Sequence, residues 1–84
     1  MLPHGVELVE YRDGMDGHRY IQMAINGVLA PAIDDHATTR ENFATDAAYF
    51  AHLAKRSEEF LHLFGSPRSP LSEEEIQLRS QEPF

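Results

Sequence analysis

The chain reads as an α+β domain: a three-stranded antiparallel β-meander packed against one long α-helix, with short flanking helices. Three observations predict this. Two β-forming runs and a third apolar run are joined by glycine turns, one of them the Asn26-Gly27 dipeptide. From Thr45 to Phe64 there is no Pro or Gly, and apolar residues recur at three and four. A Pro- and Ser-containing stretch then leads into a second cluster of helix-start residues.

The first strand is expected from Gly5 to Arg12, where Val6, Leu8, Val9 and Tyr11 are separated by Glu7 and Glu10. Its alternation slips between Leu8 and Val9, which implies either two partly covered faces or a bulge. Asp13-Gly14-Met15-Asp16-Gly17 is a double turn signal. In the central strand, Arg19 to Ile25, Ile21, Met23 and Ile25 fall on one face and Tyr20, Gln22 and Ala24 on the other. After the Asn26-Gly27 turn, Val28 to Ile33 is expected to pair back. Pro31, which lacks an N–H, confines that strand to the edge.

Asp34-Asp35-His36-Ala37 is read as the end of the sheet, and Thr38 with Glu41 as a capping box opening a brief helix. Thr45 is the expected cap of the long helix and Gly65 its stop. Phe50, Leu53, Ser57, Phe60, Leu61 and Phe64 form the predicted core stripe, bordered by Ala47, Ala51 and Ala54. His52, Lys55, Arg56, Glu59 and His62 form the wet side. At roughly 1.5 Å per residue this helix approaches 30 Å, against roughly 23 Å for the strands, so Phe60, Leu61 and Phe64 are expected to overhang the sheet. Leu71-Ser72-Glu73-Glu74-Glu75-Ile76 combines a staple, a cap and acidic residues at a helix start. The expected layout is one domain over 1–84, with the meander at 5–33, helices at 38–64, a linker at 65–71 and a short helix at 72–80.

Composition limits the function. Of 84 residues 42% are apolar, and nine of those are Ala. A domain of this size buries roughly 60% of its unfolded surface, so a deep walled cavity is not expected. The absence of Cys removes disulfides and thiolate metal sites and fits a cytoplasmic setting. No export leader and no membrane span is read. Seven basic residues against 14 acidic ones give a formal charge of −7, which disfavours nucleic acid and favours a basic protein surface.

Asp34, Asp35 and His36 form the one cluster of hard metal ligands, which His52 or His62 would complete if the long helix folded back over the strand end. No histidine pair has the i, i+4 spacing of a zinc helix, and paired Asp residues after a strand are ordinary turn formers. The Asp13 to His18 segment lacks the alternating acids and distal Glu of a calcium loop. No Ser lies in a nucleophile elbow, and no glycine-rich loop followed by Lys opens a helix. Neither a cofactor nor an enzymatic activity is therefore expected. The five histidines fit a polar surface, with a pH sensor as the sharper reading.

Partner-binding features are better represented. Tyr11 and Tyr20 on the sheet, Leu29 on the edge strand, and Phe60 and Phe64 on the overhang are the candidate anchors. Asp34, Asp35, Glu73, Glu74 and Glu75 are the candidate charges. The competing reading has Ile76 and Leu78 folding over Phe60 and Phe64. The expectation is a non-enzymatic acidic protein that binds a basic partner as an inhibitor, an antitoxin-like regulator or an accessory subunit. A phage or mobile-element inhibitor of the anti-CRISPR type is one concrete form. The alternative is a homodimer with a metal or small-ligand pocket between chains near Asp34, Asp35, His36 and His52.

Overall fold

The protein is described by a computed structural model covering residues 2–14, 17–70 and 72–81. Val6–Asp13 (β1) and His18–Ile25 (β2) pair antiparallel. The pairing runs Leu8 opposite Met23, then Glu10 opposite Gln22, so Val9 is an extra residue. The slipped alternation of the sequence is thus a bulge, which bends the strand without breaking the ladder. Gly14 donates its N–H to the carbonyl of His18 at 2.8 Å. Met15 and Asp16 of the turn lie outside the described residues.

Asn26 and Gly27 have φ of 50° and 80°, as a type I′ turn requires, and they lead into Val28–Leu29 (β3). The third strand is not continuous to Ile33. It breaks at Ala30-Pro31-Ala32 and resumes as Ile33–His36 (β4), which also pairs with β2. Leu29 opposes Ala24 and Ile33 opposes Ile21, so three residues face two of β2. Proline removes a ladder donor at this point, and the chain accommodates it with one extra residue. The Ala30 carbonyl accepts from Gln22 Nε2 at 3.0 Å, which satisfies a group inside the gap. Asp34, Asp35 and His36 therefore extend the sheet and do not end it.

Ala37–Arg40 (α1) follows β4 directly with His36 at its N-cap, and no side chain caps it. The expected Thr38 box does not form, because the helix has already begun when the chain reaches Thr38. Turns from Glu41 to Phe43 bring Phe43 against the core. Asp46–Phe64 (α2) begins as expected: Thr45 Oγ1 accepts from the Ala48 N–H at 3.2 Å, and Gly65 ends the helix with φ 78°.

The helix covers the face of β2 that carries Ile21 and Met23. These pack with Ile33, Tyr49, Leu53 and Ala54, joined at the margin by Leu2, Val6, Phe43, Phe50 and Phe60. Each large aliphatic side chain buried there contributes about 1.5–3 kcal/mol. Leu53, Ala54 and Ser57 of the predicted stripe are buried, and Phe64 is exposed, as expected of a helix that overhangs the sheet; the corrections are Tyr49, which is buried, and Ala47 and Ala51, which are exposed. Tyr20 and Gln22, on the opposite face, are also buried. After α2 the Ser66 hydroxyl donates to the Leu29 carbonyl at 2.6 Å, and Arg12 Nη1 reaches Glu73 at 2.9 Å. Between these two ties the chain passes from the β3 side of the sheet to the β1 side. There it forms Glu73–Gln81 (α3), with the Glu75 N–H donating to Ser72 Oγ at 3.2 Å.

Candidate functional site

Alternation along β4 divides the predicted ligand cluster. Ile33 and Asp35 are buried on the helix side, whereas Asp34 and His36 are exposed on the other. Adjacent strand residues point to opposite faces, so Asp34 and Asp35 do not share a site. Asp34 Oδ1 lies 2.8 Å from His18 Nδ1, and the His36 ring stands 4.2 Å from that of His18, its cross-strand neighbour. His52 packs on Phe43 at 5.0 Å, on the helix side. Among the described residues no three His, Asp or Glu side chains converge to hold a metal ion.

Asp35 belongs to a buried polar cluster under the first turns of α2. The Tyr49 hydroxyl donates to Asp35 Oδ2 at 2.5 Å, and the two residues are 1% and 3% exposed. Arg19 opposes both Asp13 and Asp35 across the strands, with its Nε 3.3 Å from Asp13 Oδ1. Arg40 lies 5.8 Å from the centre of the Tyr49 ring; it also holds Asp46 at 2.6 Å and donates to the Phe43 carbonyl at 2.8 Å. Burial, then the hydrogen bond and charge of Asp35, push the Tyr49 phenol well above its ordinary value. A phenol held protonated and enclosed in this way is a poor base or nucleophile. The cluster fixes the helix to the sheet. Sequence reasoning missed Tyr49 and Arg19; the one local signal is the i, i+4 row Tyr49, Leu53, Ser57.

The candidate contact residues separate into buried and accessible. Tyr20 is enclosed and belongs to the interior. Leu29 is half-buried and serves as the acceptor for Ser66. Tyr11 is exposed on β1, with its ring 5.8 Å from Phe50. Phe60 is half-buried against the core margin, 5.4 Å below the Arg56 guanidinium. Phe64, whose ring meets that of Phe60 edge-on at 6.0 Å, is 74% exposed, and Leu63, which sequence reasoning passed over, is 72% exposed. Leu78 is itself exposed, and the Ile76 side chain lies outside the described residues. Glu73, Glu74 and Glu75 are all exposed.

The last turn of α2 closes on its own C-cap and is followed by one tie to the sheet. Gly65 N–H donates to the Leu61 carbonyl at 2.9 Å, and Ser66 ties the following residue to β3. Two large apolar side chains, Leu63 and Phe64, stand exposed at this helix end, with Glu59 one turn before Leu63 on the same helical face. No helix among the described residues is long and apolar enough to cross a membrane. Comparison with protein-family models, with curated proteins and with solved structures finds no match to this chain.

Proposed function

We propose that this is a non-enzymatic, cytoplasmic module that binds another protein through a basic surface, acting as an inhibitor, a regulator or an accessory subunit. The observation that carries the reading is the last turn of α2, where Leu63 and Phe64 are presented on a tethered backbone. Apolar anchors that are already ordered lose little entropy on binding, which is what makes a few such residues dominate an interface. The carboxylates supply the second part. With a formal charge of −7, and with Glu58, Glu59 and the exposed row Glu73 to Glu75, the chain attracts lysine- and arginine-rich surfaces and repels phosphate backbones.

The test is capture from the source cell with the wild-type chain and with Leu63→Asp/Phe64→Asp, at low and high salt. The captured protein is then purified and recombined with the chain. A basic partner that forms a defined complex with the wild type, and is lost both in the double variant and at high salt, supports the proposal. Recombination that ignores both changes refutes it.

A further inference from the structure

The two sheet edges differ. On one side β3 and β4 are interrupted by Pro31 and an extra residue. On the other, β1 runs unbroken over eight residues and pairs, among the described residues, with β2 alone. An open edge of this kind is a template for another strand.

The hydrogen bonds show which backbone groups of β1 face outward. The bond from Asn26 N–H to the Gly5 carbonyl, 2.7 Å, puts Glu7 and Ala24 in a hydrogen-bonded pair. The bond from Gly14 to His18 does the same for Arg12 with Tyr20 and for Glu10 with Gln22. Leu8, Tyr11 and Asp13 therefore direct their N–H and C=O groups away from β2. The bulge at Val9 makes the step from Leu8 to Tyr11 three residues, where a regular strand has two. A regular incoming strand matches the outward groups on one side of the bulge and loses them on the other. A second copy of β1, laid antiparallel, has the same three-residue step.

We propose that β1 pairs antiparallel with β1 of a second copy of this chain, with Leu8 opposite the partner's Tyr11 and Glu7 opposite the partner's Arg12. The two-fold axis then passes between Val9 and Glu10, and each contact occurs twice. Leu8 and Tyr11, both exposed in the single chain, cover each other on the helix side of the joined sheet. On the other side each guanidinium meets a carboxylate. Arg12 already lies 3.4 Å from Glu10 and 2.9 Å from Glu73, so Glu7 of the second copy enlarges an existing charge network. The residues of this pairing, on β1, are not those of the α2 terminus, and the inference stands whether or not that terminus binds a partner.

Sedimentation velocity on the full chain over a dilution series tests the register. The wild type is expected to dimerise, and Glu7→Arg or Arg12→Glu to weaken the dimer by roughly 10- to 100-fold, since each reversal turns two attractive pairs into two repulsive ones. The exchanged variant Glu7→Arg/Arg12→Glu regains the dimer. An equimolar mixture of the two single variants forms a heterodimer, because every Arg then faces a Glu. Leu8→Glu, which leaves Arg12 and its contacts alone, is a second disruptor, and circular dichroism verifies the fold of each variant. A monomer throughout the series, a dimer indifferent to the reversals, or a mixture that fails to associate overturns the proposal.

Discussion

The hydroxyl of Tyr49 donates to Asp35 across 2.5 Å, with both residues shut away from water. This one bond joins the start of the long helix to the half-strand that follows Pro31, two elements with no other buried polar tie between them among the described residues. A buried carboxylate that loses its donor keeps its desolvation cost. Tyr49→Phe is therefore expected to lower stability by about 2–3 kcal/mol in urea titration. Asp35→Ala, which removes the acceptor, should not add a comparable further loss when combined with it. Additive losses would show that the bond does not hold the elements together.

Alkaline pH probes the same contact. The folded chain holds the Tyr49 proton to a higher pH than the unfolded chain, where a tyrosine titrates near its ordinary value of about 10. The resulting stability is whole below that value and is lost as pH rises through the folded-state value. Ultraviolet titration should reveal a phenol that ionises together with the loss of the far-ultraviolet dichroism, a phase that Tyr49→Phe removes. Ionisation of every tyrosine while the fold stays intact would contradict this.

Two glycines separate steric from conformational need. A Cβ at Gly14 would overlap the ring of Tyr20, which is enclosed and has nowhere to move, so Gly14→Ala is expected to cost about 1–3 kcal/mol. At Gly27 a Cβ meets nothing within 4 Å, and the cost is that of φ 80° alone, about 1 kcal/mol. Thermal melts should rank Gly14→Ala as the more damaging, although Gly27 has the left-handed backbone.

Ser57 is buried in the α2 stripe, and its hydroxyl finds no hydrogen-bond partner among the described residues. Ser57→Ala removes that orphan and adds helix propensity, so it is expected to be neutral or stabilising by up to about 1 kcal/mol. Leu53→Ala, one turn earlier, leaves a cavity and should cost about 2–5 kcal/mol. Comparable losses from the two would mean that the hydroxyl is satisfied.

The features legible in the sequence are those decided by near neighbours. The Asn26-Gly27 reversal, the Thr45 cap and the Gly65 stop each depend on a few consecutive residues and stand where they are expected, and the slipped alternation at Leu8 and Val9 resolves to a bulge, one of its two readings. Tyr49 was illegible because its partner lies fourteen residues away in another element, and a tyrosine with a buried carboxylate looks like any other before the strand is placed. The ligand cluster failed for a related reason. Once the strand resumes beyond Pro31, adjacent Asp34 and Asp35 must part to opposite faces. Helical periodicity alone puts Phe64 in the core stripe, and it is the comparison of helix and strand lengths that makes it overhang, in agreement with a packed core that reaches only to Phe60.

The most direct test of the binding account is calorimetric titration of the purified partner into the wild type and into Leu63→Asp/Phe64→Asp across a range of ionic strength. Loss of two central anchors should weaken binding by about 2 kcal/mol or more, roughly thirtyfold in Kd, and the wild-type affinity should fall steadily with added salt. Equal affinity for both chains at every salt concentration would contradict it.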